Sequence, residues 1–337
     1  MSEFVDGAQV SLKDLYAPSA RIYWSDLLLS AGLGWACFVV ACLSATPWWA
    51  APAMVTAVLL LYRAQAFLHE LSHAARGIAG FGLAWNLLVG FPLLMPFIFA
   101  VGVHRVHHSP EHYGTVRDPE YLPLRRSRTM IIRFLAQCLI LGPLMVLRWL
   151  VLGPIALLVP PLQREVERRV TSMAMNPAFI REVSREEHRV VLRQQLGALA
   201  FWLMPAMLLL TGIWPLRVVL CWLVLTAGIW GLTAVRSLVA HRYDSDGEPM
   251  DREGQIADSI DIPRGGWAEV WAPVGHRHHA LHHMFPALPY HHLPAAYARL
   301  TQHGVPPRAL ALAASDGLLP GLRRLWSRPG APSGAAR

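Results

Sequence analysis

HELSH at residues 69–73 ends a long apolar run, and further histidine clusters stand at similar borders: HRVHH at 104–108, a lone His241 in SLVAHRYD, and HRHHALHH at 276–283. Helix geometry explains the spacings. Residues three and four apart lie on one face, so His69 with His73, His104 with His107 and His108, and His279 with His282 and His283 each present imidazoles as a group. Such groups can hold metal. Eight or nine neutral imidazoles exceed the ligand set of one ion, so the count implies two ions.

The runs between the clusters set the fold class. Apolar residues make up 54% of the 337-residue chain and charged ones 15%, against about 45–50% and about 25% in soluble domains. The surplus belongs in a bilayer. The formal net charge of +8 comes without a Lys/Arg stripe interleaved with aromatics and without a nucleic-acid motif. Nucleic acid is therefore not an expected partner, and positive-inside anchoring accounts for the arginines. Cys37, Cys42, Cys138 and Cys221 lie in apolar stretches without metal-type spacing and read as small buried hydrophobes. The opening residues carry Glu3, Asp6 and Asp14, and no small-residue cleavage pattern follows the first apolar run, so that run is expected to stay as an anchor.

A crossing takes roughly 20 apolar residues. Residues 24–45 and 48–68 form one expected hairpin, with Trp48 and Trp49 suited to the interface and the second helix running into His69. Residues 196–213 and 216–240 form another. Two further apolar stretches are constrained by parity, because His104 must return to the side of His69 and His73 if they share a site. Only 30 residues separate His73 from His104, fewer than the roughly 40 that two crossings need, and Pro92 and Pro96 break a helix there. Residues 81–103 are therefore expected to be re-entrant or interfacial and to wall the site against lipid. Residues 129–161, with Gly-Pro pairs, Arg133 and Arg148, are assigned to the interface by the same parity. Residues 163–195 carry seven arginines and belong in the cytoplasm. The expected fold is all-α and integral to the membrane: four transmembrane helices as two hairpins, interfacial or re-entrant helices, a cytoplasmic histidine-rich cap, and both termini inside. Residues 1–310 form the single membrane domain, and residues 311–337 form a tail that is partly disordered.

Other function classes compete for the first cluster. HELSH satisfies HExxH, in which two histidines bind zinc and the glutamate acts as base of a protease. Such a site takes one further ligand and leaves two multi-histidine clusters unexplained. A membrane protein that only stores or senses metal is a third class. His241 stands at the end of the fourth span, where a lone histidine is often a partner of the helix dipole.

HxxxH, HxxHH and HxxHH in this order, with apolar segments between them, resemble the boxes of membrane fatty acid desaturases and hydroxylases. The likeness runs from about residue 24 to about residue 300 and includes HHMFPALPYHHLP after the last box. The resemblance implies two iron ions on His69, His73, His104, His107, His108, His241, His279, His282 and His283. Iron comes from the resemblance alone, since imidazole suits Fe, Zn or Cu alike. It also implies dioxygen as co-substrate, a lipid or acyl substrate, and a separate electron donor of ferredoxin or cytochrome b5 type with its reductase. The setting implied is a bacterial inner (cell) membrane with the site on its cytoplasmic side. A fatty acyl desaturase is the leading expectation. The alternative is a hydroxylase or ketolase of a lipid, alkane or carotenoid, because both outcomes begin with the same hydrogen abstraction and HELSH also resembles membrane alkane hydroxylases.

Around these boxes, RDPEYLP at 117–123 resembles the family's acidic stretch after the second box, so Glu70, Asp118 and Glu120 are candidates to orient imidazoles. His276 and His278 are surplus to the last box. His291 and His292 are candidates for supporting groups or proton carriers, and Arg125, Arg126 and Arg128 for contact with an anionic carrier or headgroup. His112, His188 and His303 read as surface residues.

Overall fold

A computed structural model describes residues 9–302 and 308–327. Among them every regular element is a helix, with only isolated β-bridges besides. Helices α1 (Ala20–Leu43) and α2 (Pro47–Leu71) form the first hairpin. Pro47 opens α2 at the position where a missing N–H costs nothing. The two helices approach closely at Gly34, where a Cβ would stand 2.7 Å from Leu61 Cγ. The Arg63–Asp26 ion pair at 2.5 Å ties them nearer the histidine end.

Residues 81–103 fold as a broken, re-entrant segment. Short helices at Phe81–Trp85, Asn86–Gly90 and Phe97–Phe99 are joined by turns through Pro92 and Pro96. Irregular backbone at membrane depth must find partners other than water, and here side chains from the surrounding helices supply them. Indole N–H groups of Trp35, Trp202 and Trp222 donate to the carbonyls of Leu88, Phe91 and Pro92 at 2.7–2.9 Å. Asn86 and Gln194 accept from the N–H groups of Phe97 and Ile98. The segment leads into the short helix α3 (Val103–His107), which carries the second box.

Helices α4 (Arg128–Leu139) and α5 (Leu141–Leu158) occupy the stretch expected to lie in the interface. The outcome differs from that expectation, for α5 is 18 residues long and apolar enough to cross, along with α1, α2 and α7 (Leu216–Ser237). Helix α6 (Arg185–Leu210) covers the expected span at 196–213 but begins in charged sequence and ends at Leu210. Its first turn is fixed by a capping box between Ser184 and Glu187, and Gly212 at φ +74° stops it. Charged first turns dilute its apolar part, so α5 takes its place among the four helices that could span.

Both flanks of α4 and α5 nevertheless meet the loop after the second box. Arg126 donates to the Ser245 carbonyl, and Ser245 Oγ to that of Gly114. On the other flank, Asn176 donates to the Val116 carbonyl and the N–H of Met173 to that of Phe99. Arg148, buried in α5, is held by Val170 O, Thr171 Oγ1 and Gln195 Oε1 at 2.7–3.0 Å.

The boundary expected at residue 310 falls inside helix α9 (Arg308–Ala313). This helix packs on the cap, and Asp261 N–H donates to the Ala313 carbonyl. Helix α10 (Leu318–Ser327) follows, and Arg128 donates to the Trp326 carbonyl while its guanidinium lies over that indole. Apolar side chains C-terminal to residue 310, such as Ala313 and Leu325, are buried, so residues 311–327 pack on the rest of the chain. His303 and the GAPSGAAR end lie outside the described residues.

Topology is tested by single cysteines at exposed positions in a background without the native ones. Labels at Thr129, Ser184 and Asp246 are expected on one face and a label at Thr46 on the other. Labels at Thr129 and Ser184 on opposite faces would mean that α4 and α5 together cross.

Candidate metal centre

Nine histidines converge at one end of the helices as two groups. His69, His73, His104, His108 and His282 form one; His107, His241, His279 and His283 form the other. Within each group one nitrogen per ring lies within 4.8 Å of the others. These are the nine residues singled out from the sequence.

The two boxes on short helices divide themselves between the groups. Consecutive helical residues diverge by about 100°, so His107 and His108 point to different groups, while His104 and His108, one turn apart, share one. His279 and His283 share the second group in the same way, and His282 crosses to the first, on the helix α8 (His279–Met284). The groups touch where His108 stacks on His283 with ring centroids 4.2 Å apart. Box one departs from the helical reading. Helix α2 ends at Leu71, and His73 has φ −129° and ψ −112°, so it meets His69 through a tight turn closed by N–H bonds from Ser72 and His73 to the carbonyls of His69 and Glu70.

Several ring nitrogens are orphaned. Both nitrogens of His69 and His283, Nε2 of His73 and His107, and Nδ1 of His282 are buried without a hydrogen-bond partner among the described residues. Buried polar atoms are normally satisfied, so these point to a missing partner. Metal–imidazole bonds of about 2.0–2.1 Å put two ligand atoms at most about 4.2 Å apart. The 4.8 Å groups need to close only slightly to hold an ion each, and the residues present fit a two-metal centre.

Protonation also suits ligation. Burial, then the charge of neighbouring His104, pushes His73 down to about 3. Burial holds His108, His241, His279, His282 and His283 well below the usual imidazole range, leaving lone pairs free at neutral pH. His107 moves the other way, since burial lowers it but the Asp118 carboxylate outweighs burial.

The supporting groups are equally specific. Asp118 takes His107 Nδ1–H at 2.9 Å and Glu120 takes His104 Nδ1–H at 2.8 Å, each fixing the tautomer that leaves Nε2 for a metal. Asp118 is itself held by the N–H groups of Gly114 and Glu120. Glu70 behaves differently: its carboxylate accepts from Tyr23 OH and Tyr290 N–H, which joins box one to the segment after box three. A protease base must reach a metal-bound water, and a carboxylate so engaged is not poised for that. Sequence reasoning missed Tyr113, whose hydroxyl lies between His241 Nδ1 and Asp258, and Arg236, whose Nη2 lies 3.2 Å from His279 Nδ1. No box motif includes them. A guanidinium only donates, so neutral His279 carries its proton on Nε2, 3.0 Å from His241 Nε2, and ligation there requires that proton to leave.

The remaining candidates lie elsewhere. His276 sits beside the first group, with its ring 4.9 Å from that of His69 and its Nδ1–H on the Pro273 carbonyl. His278 turns away to pack on Tyr297. His291 accepts from Ser19 N–H and His292 donates to the Leu15 carbonyl, so both fasten the N-terminal segment. Arg125 pairs with Asp244, Arg126 donates to the Ser245 carbonyl and Arg128 to that of Trp326. His112 bonds Ser109 and His188 pairs with Glu167.

A helical membrane scaffold with these boxes defines a lipid-modifying enzyme of oxidoreductase type. Residues 46–312 match the family model described as fatty acid desaturase, and the chain belongs to that family. It is 40% identical over 294 residues, 86% of this chain and 84% of the relative, to a ceramide hydroxylase of Caulobacter vibrioides. No solved structure matches it. The relative favours the hydroxylase alternative over the desaturase expectation.

His279→Ala is expected to lose metal from the second group, whereas His278→Ala keeps it. Asp118→Asn should weaken binding about 10–100-fold. Metal content after dialysis against a graded chelator checks both, and equal loss in the His278 and His279 variants would overturn the assignment.

Proposed function

We propose that this protein is a di-iron membrane hydroxylase that inserts one oxygen atom of dioxygen into a C–H bond of ceramide or a closely related N-acyl long-chain lipid. The observation that carries this reading is the chain-wide identity to a ceramide hydroxylase, which spans every histidine of both groups. His69, His73, His104, His108 and His282 would hold one iron, and His107, His241, His279 and His283 the other. Iron in such a site supplies an oxidant, made from dioxygen and two electrons, strong enough to take hydrogen from an unactivated carbon.

The chain's own residues do the rest. Asp118, Glu120 and Tyr113 hold imidazoles in the ligating tautomer. The re-entrant segment, with Phe91, Leu93, Leu94, Met95 and Ile98 buried, keeps water from the membrane side of the site. One oxygen atom ends in the product and the other in water, with two electrons and two protons brought in from outside. A separate carrier of ferredoxin or cytochrome b5 type would deliver the electrons on the cytoplasmic face, where the arginines of residues 163–195 anchor the protein.

Membranes of an expressing host supplied with ceramide are expected to yield lipid that gains one oxygen atom, derived from isotopically heavy dioxygen, by mass spectrometry. His73→Ala and His107→Ala should abolish this product. Lipid that loses two hydrogens and gains no oxygen would establish desaturation instead.

A further inference from the structure

Tyr113 is buried, and its ring centroid lies 5.1 Å from that of His107, 5.6 Å from His241 and 5.5 Å from His283. It therefore touches three of the four imidazoles of the second group. Its hydroxyl is 2.9 Å from Asp258 Oδ2 and 2.8 Å from His241 Nδ1. An ionised carboxylate only accepts, so Tyr113 donates to Asp258 and its oxygen accepts from His241 Nδ1–H. The phenol is thus wired to a metal-ligand position on one side and to a proton acceptor on the other. Asp258 is fixed in place by the N–H of Asp244 at 2.9 Å.

A phenol is far easier to oxidise when its proton can leave with the electron, because the protonated radical is a very strong acid. The acceptor must lie within about 2.6–3.2 Å of the donating atom, and Asp258 does. Tyr121 also reaches Asp258, but its ring meets His241 alone at 5.8 Å and its hydroxyl also accepts from Ser245 N–H. Tyr243 and Tyr23 each lack one of the two requirements. Tyr243 donates to the carbonyl of Ser237, which cannot take a proton. Tyr23 donates to the Glu70 carboxylate, but its ring contacts are with Phe67, Phe81, Tyr290 and His291 and with no histidine of either group. Tyr113 alone among these combines a carboxylate acceptor with contact to three imidazoles of the group.

We propose that Tyr113 is a redox-active residue that discharges the second metal site when the oxidant forms without a lipid in place. This inference rests on the oxygen chemistry proposed above. In the step, Tyr113 would give one electron to the iron that His107, His241, His279 and His283 would hold, once dioxygen has oxidised it, and that iron would be reduced by one electron. The phenolic O–H bond breaks, an O–H bond forms on Asp258, and a neutral tyrosyl radical remains. The outside electron donor then returns one electron, and the proton moves back from Asp258. Tyr121 at 5.5 Å from Tyr113, and Tyr243 at 5.1 Å from Tyr121, form with it a buried aromatic cluster against His241, over which the oxidising equivalent can spread from the ligands.

The iron-loaded, reduced enzyme is mixed with dioxygen without lipid and frozen rapidly for electron paramagnetic resonance. The expected result is a transient radical whose spectrum narrows when the protein carries ring-deuterated tyrosine. The signal should be lost in Tyr113→Phe, much reduced in Asp258→Asn, and kept in Tyr23→Phe, with iron content measured on each. Because the isotope experiment uses the unmutated chain, it decides even if a variant loses iron. A preparation that hydroxylates lipid yet forms no tyrosyl radical overturns the inference alone, as does a signal that survives in iron-loaded Tyr113→Phe. A preparation that neither holds iron nor converts lipid overturns the hydroxylase reading and this inference with it.

Discussion

Desolvation of imidazole is the constraint on which the rest depends. Seven ring nitrogens of the two groups are buried without a protein partner, and each such group costs about 1–3 kcal/mol. Together they reach the order of a whole domain's stability, about 5–15 kcal/mol. A fold cannot carry that penalty unless something else binds those nitrogens, so metal binding and the stability of the cap are coupled. The same desolvation keeps His73, His108, His241, His279, His282 and His283 neutral, the form a metal requires. Burial that would be costly without a bound ion is what makes the site selective for a cation.

The membrane part solves a related problem with backbone groups. Two nearby crossings would carry box two to the correct side, but the chain between boxes one and two is too short for them, so it enters and turns back. The exposed carbonyls of that turn are met by indoles from α1, α6 and α7. Tryptophan suits this role because it gives one N–H while filling apolar space with the rest of its ring. The wedge also packs on both α6 and α7, with Phe91 seated against Gly197 and the N–H of Trp222 on Pro92. One broken segment therefore both lies beside the site and ties α6 and α7 together.

How much of this was legible follows from what is local in sequence. The box spacings pointed to eight of the nine clustered histidines, because helical periodicity acts over one turn; the ninth, His241, came from the family resemblance alone. Hydropathy located α1, α2 and α7 to within a few residues. The turn that brings His73 to His69 was not legible, since HELSH fits an unbroken helix equally well. Pairing of Tyr113 with Asp258 joins residues 145 apart, and no periodic pattern marks it. The packing of α9 and α10 was hidden for a related reason: short helices with small apolar faces look like tail until a partner surface is present. Parity gave α5 an interfacial place, while its length and composition permit a crossing, because hydropathy registers apolar content and not whether a helix turns back.

The choice between hydroxylation and desaturation was beyond the boxes for a chemical reason. Both reactions use the same ligands and the same first step, removal of one hydrogen from a methylene. They part afterwards, when the carbon radical either receives oxygen or loses the neighbouring hydrogen. That partition depends on how the lipid is held relative to the oxidant, over distances of a fraction of an ångström, and thus on the apolar wall and the groups around the metals. These are the parts of the chain with the least distinctive local sequence. Similarity along the whole chain samples them, which is why a relative aligned over 86% of this chain bears on the reaction while the histidine pattern fixes only the class.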